Sequence, residues 1–362
     1  MKVLIECFMP TESGPVFTYG MAKGLIDNGI EVFAIISDDA DNIKEWKRLL
    51  DECHLYCVSS NIDMRNHLVA SLMQLYLIKR RFKNIKFDYY IDTFPSVRLR
   101  YLKHAIDYKI SIAIDHDVKP HSSVDGGAAS RVRELLSEFQ SIIVLSKSFI
   151  GMAQNKYDGE KKEILYMRHG AMEYPAYQGN SIENNNKINF LYFGRIDGYK
   201  GLHVLAEAYR ELSSQYKDIS LTVAGGGDFS EYADDYKSLE NCTVLNKYIT
   251  DEEIAYLFSI PKTVVVLPYL DATQSGVIGM AFNYRTPVIV SDTGGLKEQL
   301  FDGEMGLFVE PGNAQDLEDK MEGFILNKKL YEEQKEKMDS GYKRSTWDYV
   351  TKEFLAQLKG NK

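Results

Sequence analysis

The sequence predicts an α/β protein built from two strand-helix lobes, and three observations carry that prediction. Its 362 residues exceed what one ordinary hydrophobic core organises and suit two α/β domains. Apolar strands over residues 2–8 and 31–36 enclose a helix over 16–28 that Gly29 ends, the strand-helix-strand unit of a parallel sheet. From residue 189 the alternation begins again, with strands expected at 189–193, 219–224, 243–245 and 263–267 and helical spacing between them.

Composition narrows the function classes. A net charge of −9 argues against a general nucleic-acid binder, and no apolar run reaches membrane-spanning length. The first residues enter a strand carrying Lys2 and Glu6 instead of a basic-apolar-small leader, so a cytoplasmic protein is expected. Cys7, Cys53, Cys57 and Cys242 lack paired metal spacing, and Cys53 and Cys57 with His54 between them read as a partly buried helix or loop pair. Neither a disulfide nor a zinc site is expected.

In the first half, Ser13-Gly14-Pro15 stands at a helix start, where open amides attract anions or sugar hydroxyls; Gly14 could equally be turn punctuation. The loop is no G-x-G-x-x-G, which disfavours a hydride-transfer enzyme. A helix over 67–82 presents Leu68, Leu72, Met73 and Leu75, ends in Lys79-Arg80-Arg81, and is followed by Lys83 and Lys86. Two readings compete there. One is a core-packed helix whose terminal cations complement its dipole, preferred because an apolar face must bury something; the other is a basic face resting on anionic lipid.

Strands at 89–93 and 110–114 follow, the second ending in Asp115-His116-Asp117. An Asp-x-Asp can hold a divalent cation against diphosphate oxygens, whereas His116 at a strand end can touch a bound substrate or be satisfied by backbone. His121 and Gly126-Gly127 sit in a polar loop, a strand runs over 141–146, and Arg168-His169-Gly170 marks where the chain turns away. The asparagine-rich stretch 174–187 reads as the linker, giving lobes 1–173 and 188–344.

The second half is richer in site-building loops. Strand 189–193 breaks into a glycine-bounded loop carrying Arg195 and Lys200, and a helix with Leu202, Leu205, Ala206, Tyr209 and Leu212 at its spacing follows. Ligands collect outside the carboxyl ends of such strands, where an Arg and a Lys can neutralise a diphosphate; alone, the pair would read as solvated loop charges. Gly225 and Gly226, before Gly227-Asp228, leave room for a ligand to approach the backbone. Thr250 is the expected cap of a helix over 251–258. After strand 263–267, Asp271 precedes Thr273-Gln274-Ser275-Gly276-Val277 at a helix start, and Gly294-Gly295 opens another. Each loop alone is ordinary helix-start chemistry, but three in one lobe favour a phosphate site.

These blocks, FGRIDGYKGLHVLAEAYREL, VAGGGD, LPYLDATQSGVIGMAF and PVIVSDTGGLKEQLFDGEMGLFVEPGN, resemble the C-terminal lobe of the GT-B fold retaining glycosyltransferases of family 4 (glycosyl transferases group 1). Gly14, His116-Asp117 and Arg168-His169-Gly170 extend the resemblance more weakly into the first lobe. It implies two Rossmann-like lobes facing a central cleft, with a nucleotide-diphosphate sugar held mainly by the C-terminal lobe. A glycan or lipid-linked glycan acceptor would be held by the N-terminal lobe, to which a terminal helix over about 345–362 crosses back. Arg195 and Lys200 would stabilise the departing diphosphate and His116 would orient the donor sugar. Gly14, Gly225, Gly226, Asp271, Gln274, Ser275, Gly276 and Val277 would bind the donor.

The resemblance implies a metal-independent hexosyltransferase without a cofactor, its partners being the nucleotide sugar and its acceptor, in bacterial surface polysaccharide synthesis. It would be cytoplasmic or peripheral at the inner membrane face through Lys79, Arg80 and Arg81. One departure matters: the family usually carries two glutamates eight positions apart after the LP strand, and those places hold Ala272 and Met280. The chain therefore resembles an ATQSGV-type branch in which backbone amides, Gln274, Ser275 and Asp271 take over part of the recognition. The alternative is a catalytically degenerate GT-B subunit that stabilises a partner glycosyltransferase.

Overall fold

The computed structural model describes residues 1–11, 13–59, 68–96, 101–119, 126–160, 162–183 and 187–360. The described residues form two compact units, one made of those up to Gly170 together with those from Thr346 onward, the other of Ala171–Ser345. No helix among the described residues is long and apolar enough to cross a membrane.

In chain order the first unit contains β1 (Lys2–Cys7), α1 (Ser13–Asp27), β2 (Glu31–Ser37), α2 (Ile43–Leu49), β3 (Leu55–Val58), α3 (Leu68–Phe82), β4 (Lys86–Asp92), β5 (Asp107–Asp115), α4 (Gly126–Ser137), β6 (Ser141–Val144), α5 (Ile150–Tyr157) and β7 (Glu163–Tyr166). The second contains β8 (Ile188–Phe193), α6 (Leu202–Gln215), β9 (Ile219–Ala224), α7 (Ala233–Lys237), β10 (Cys242–Leu245), α8 (Asp251–Ser259), β11 (Thr263–Leu267), α9 (Gly276–Tyr284), β12 (Val288–Ser291), α10 (Leu296–Gln299), β13 (Leu307–Val309), α11 (Ala314–Leu326) and α12 (Lys328–Ser345). The last helix, α13 (Trp347–Gly360), belongs to the first unit.

Both sheets are parallel. Their orders, β3-β2-β1-β4-β5-β6-β7 and β10-β9-β8-β11-β12-β13, reverse at the same place, between β1 and β4 and between β8 and β11. At such a switch point the loops leaving the two central strands diverge to opposite faces and open a crevice at their carboxyl ends. Near-continuous apolar strands explain the burial: β6, β8 and β11 are buried at every residue, as parallel strands covered on both faces require.

Several elements differ from the sequence reading. α1 begins at Ser13, so Gly14 and Pro15 lie inside its first turn, where proline's missing amide has no partner to lose. Gly126 and Gly127 open α4 instead of sitting in a polar loop, while His121 lies outside the described residues. The division falls at Gly170, ahead of the asparagine-rich stretch, because Ala171 N–H donates to Ser345 O (2.7 Å) and Met172 N–H to Gly279 O (3.1 Å). Thr250 caps α8 with a full capping box to Glu253, as its position suggests.

The largest correction concerns α3. Ile78 and Phe82 are buried in the first unit's core and Leu75 packs against it, but Leu72 and Met73 point outward. The helix has apolar residues on two sides, and of those that sequence spacing selected Leu75 lies on the buried side while Leu72 and Met73 lie on the other.

α13 docks on α1 through Trp347. The indole is 2% exposed, meets the Phe17 ring edge-on at 5.0 Å, and lies where a side chain at Gly20 would stand, its backbone doing the same at Gly24. Trp347→Ala is expected to destabilise the first unit by about 3–5 kcal/mol, the cost of an emptied aromatic site. Urea unfolding followed by circular dichroism measures it, and a loss under about 1 kcal/mol would contradict this docking.

Candidate active site

The second unit assembles its polar groups at the carboxyl ends of β8 and β11. After β8 the chain turns through Gly194, passes Arg195, and forms a short 3-10 turn, Gly198–Lys200, before α6. Gly201 closes that turn with φ +70, and a side chain there would overlap the Pro268 carbonyl, so only glycine lets this loop press on the segment following β11. Lys200 then lies over the Tyr269 ring, its Nζ 3.7 Å from the ring centroid and 4.8 Å from that of Tyr199. Burial lowers the Lys200 pKa and the nearby Arg195 charge adds to this, while Tyr199 and Asp197 oppose it. Arg195 itself is exposed, its carbonyl accepting from Tyr192 Oη at 2.9 Å.

From Tyr269 the arrangement reaches the start of α9. The Tyr269 and Ser275 hydroxyls are 3.4 Å apart, and Ser275 is the helix N-cap without using its side chain to cap. Gly276 and Val277 open the helix, where the first amides have no carbonyl four residues back to bond. Ser275's own amide is committed, since Gln299 Oε1 accepts from it at 3.0 Å and Gln299 Nε2 donates to its carbonyl at 2.8 Å. Among the described residues the buried Gln274 Oε1 has no hydrogen-bond partner. Ala272 and Met280 are buried, at 2% and 7% exposed.

Gly225 differs from its sequence reading. Its φ of +150 and the Gly194 carbonyl packed where a Cβ would stand show that the glycine is required by a neighbouring backbone. Gly226 O accepts from Ile196 N–H (2.9 Å), so the glycine loop braces the cationic one. Asp271 is half-buried beside these segments.

In the first unit, His116 follows β5. Its Nε2 is 2.9 Å from Thr93 O, its ring stacks on Phe94 at 4.1 Å, and Phe17 meets it edge-on at 5.3 Å. Burial lowers its pKa, against the Thr93 bond and the charges of Asp117 and Asp115, so the ring is neutral at pH 7. With Nε2–H donating to Thr93 O, Nδ1 is the acceptor nitrogen. Asp115 is 3% exposed and committed elsewhere, paired with Lys156 Nζ at 2.8 Å and accepting from Tyr157 Oη at 3.0 Å, while Asp117 is exposed. The two carboxylates therefore do not converge on one point. Gly14 is packed on Met9, whose Cβ would stand 2.9 Å from a Cβ added there.

Sequence reasoning missed Tyr199, Tyr269 and Gln299, which read as ordinary aromatic and helix residues. It also missed a buried acid pair, Glu6 and Asp92, neighbours in register on β1 and β4. Burial raises both carboxyls, Asp92 to about 7, and Tyr90 Oη donates to Glu6. An acid at the end of an apolar strand was the available signal.

Comparison with known proteins places these features. Residues 175–340 match the family model of glycosyl transferases group 1. That segment contains Arg195, Lys200, the Gly225 loop and the α9 start. Over 144 residues the chain is 33% identical to a D-inositol 3-phosphate glycosyltransferase of Arthrobacter sp. (strain FB24), covering 38% of this chain and 34% of the relative. It is 27% identical over 145 residues to an alpha-D-kanosaminyltransferase of Streptomyces kanamyceticus, covering 39% and 37%. The chain thus spans little more than a third of the length of these two relatives. Among solved structures, a sucrose-phosphate synthase from Thermosynechococcus elongatus superposes with a TM-score of 0.70 at 15% identity, over all of both chains. HepE of Anabaena, solved with UDP-glucose, gives 0.68 at 14% over 99% of this chain and 100% of its own. The fold is the α/β GT-B fold of these glycosyltransferases.

His169 supplies a pH test. Burial holds its pKa down at about 4, its Nδ1 donating to Gly170 O at 2.7 Å. A folded-state value below the unfolded one near 6.5 means its contribution is complete above 6.5 and is lost as pH falls towards 4. The stability difference between His169→Gln and the parent should shift in the variant's favour by up to about 1.4 kcal/mol per pH unit across that window. A difference that stays flat from pH 7 to 4 in chemical denaturation would refute a buried neutral His169.

Proposed function

We propose that this protein is a retaining glycosyltransferase that moves a sugar from a nucleotide-diphosphate sugar to a glycan or lipid-linked glycan acceptor in bacterial surface polysaccharide synthesis. The observation that carries the reading is Lys200 seated on Tyr269, one hydroxyl contact from the open start of α9, inside the segment that matches the glycosyl transferases group 1 model. The UDP-glucose bound in HepE supports a nucleotide sugar as the donor class.

Breaking the bond from the anomeric carbon to the diphosphate puts negative charge on the leaving oxygens, and fixed positive groups there lower the barrier. Lys200 and Arg195 supply charge, and the amides of Gly276 and Val277 supply helix-start donors. The acceptor hydroxyl enters on the face the phosphate leaves, and a phosphate oxygen takes its proton, so no carboxylate nucleophile is needed. The unpartnered Gln274 Oε1 accepts from a donor hydroxyl, and Asp271 completes donor binding. The reaction needs no cofactor and no metal: Asp115 is held by Lys156 and Tyr157, and fixed cations meet the phosphate charge. The enzyme works in the cytoplasm at the inner membrane face, which the basic segment Lys79, Arg80 and Arg81 contacts.

Lys200→Ala and Arg195→Ala are each expected to lower transfer by about 10²-fold or more through kcat, with the folded state retained. Purified enzyme is first screened for thermal stabilisation by UDP, GDP, ADP, CMP and dTDP sugars, where a donor at a hundred times its Kd adds about 2.7 kcal/mol. Full turnover in either variant would remove these residues from the site.

EDTA should leave turnover unchanged; activity that vanishes and returns with manganese would restore Asp115 and Asp117 as metal ligands. The buried, apolar Ala272 and Met280 favour a second reading, a degenerate subunit of another glycosyltransferase. Donor binding without product above the Lys200→Ala blank, together with activation of a co-purifying transferase, would establish it.

A further inference from the structure

α3 has one apolar face more than the first unit's core uses. On the side away from Ile78 and Phe82, Val69, Leu72, Met73, Tyr76 and Leu77 are 79%, 58%, 56%, 60% and 37% exposed. Their spacing of three, one, three and one residues keeps them on a single stripe of the helix, and Arg80 continues that stripe a turn later. Lys79, Arg81 and Lys83 flank it, all exposed. Residues 68–87 contain no carboxylate, and among the described residues none of these four cations forms an ion pair. In a chain of net charge −9, this is a local cationic end on an otherwise apolar strip.

We propose that this face of α3 lies on an anionic bilayer surface, its five apolar side chains entering the boundary of the acyl chains and its cations meeting lipid phosphates. The inference deepens the membrane contact proposed above and rests on it, but not on the donor chemistry. Apolar stripe and cations together decide the occupant. An interfacial helix needs both an inserted apolar face and charge matching the headgroups. A second copy fits worse: a parallel pairing of two such helices brings like charges together, and an antiparallel one lays the cations of each on the apolar stripe of the other. A protein partner would have to supply an acidic patch at the cationic end only.

The test is flotation of the full chain with vesicles of phosphatidylcholine alone and of phosphatidylcholine with roughly one-third phosphatidylglycerol, at about 0.1 M and about 0.5 M salt. Binding is expected to the anionic vesicles and to weaken at high salt. Arg80→Gln/Lys83→Gln should reduce it about 25-fold, about fivefold per charge, and flatten the salt dependence. Leu72→Ser/Tyr76→Ser should reduce it at both salt concentrations. Both variants change exposed side chains, so their unfolding temperatures should match the parent's, and donor-induced thermal stabilisation is read on the same samples. If the vesicles bind while no nucleotide sugar does, the catalytic reading fails and this one stands. Absence of binding, equal binding to neutral vesicles, or a dimer that Leu72→Ser/Tyr76→Ser dissociates would overturn the proposal.

Discussion

The candidate site of the second unit depends on how closely the loop after β8 can press on the segment after β11. At Gly201 the Pro268 carbonyl occupies the place of a side chain, and this contact brings the Lys200 stem across Tyr269. The ammonium is thereby partly stripped of water, which lowers its pKa. Among the described residues no carboxylate pairs with it. A carboxylate partner would quench the lysine's field, whereas an aromatic face stabilises the cation by about 0.5–2 kcal/mol and leaves its charge available to an anion. The same closeness sets Tyr269 beside Ser275, so cation and helix start are positioned by one contact.

The first unit uses the equivalent end of its own sheet for different chemistry. There the strands end in Glu6 and Asp92, both buried with raised carboxyl pKa values, and in a histidine whose pKa is lowered. All three respond to one cause, since burial penalises whichever form is charged. The consequence is that all three groups are biased towards their neutral forms. The second unit presents fixed positive charge on an equivalent sheet. Two units of like topology thus differ in electrostatics through the few residues that follow their strands.

The alternation of strands and helices was legible because parallel strands buried on both faces are nearly continuous apolar runs, and the two repeats and their cationic and glycine loops stood out accordingly. Less legible was anything that depends on which face of an element is covered. In α3, Leu72 and Met73 fit a helical stripe as well as Ile78 and Phe82 do, and sequence periodicity cannot say which stripe the core takes when both are apolar. Glycines were misread for a related reason. Gly225 looked like room for a ligand, but the neighbouring Gly194 carbonyl fills that room, and sequence carries no record of a backbone approaching from another loop. Tyr199, Tyr269 and Gln299 gain their roles only from such approaches, so no motif announced them. The division falls at Gly170 because Ala171 and Met172, just ahead of the polar stretch, donate to Ser345 and Gly279, and Tyr174 and Pro175 at its start accept from Asn283 and Tyr284.

The start of α9 shows what remains once the two side chains at the resemblance's glutamate positions are apolar. Ala272 and Met280 are buried and offer no hydrogen bond, and Ser275's amide is taken by Gln299. What the helix start offers is then backbone and amide chemistry: the first turn at Gly276 and Val277, and the unpartnered Gln274 oxygen. A buried acceptor left unmatched costs about 1–3 kcal/mol, a cost that a hydroxyl donating to it would remove. A neutral carbonyl acceptor discriminates among hydroxyl positions by geometry as a carboxylate does, but with roughly half the strength of a charge-assisted bond. The two cations and the helix start supply positive charge and backbone donors, which suit an anion whatever sugar it carries. The positive charge of Arg195 and Lys200 and the open first turn of α9 are thus present, while the two positions at which the chain departs from the resemblance, Ala272 and Met280, are apolar.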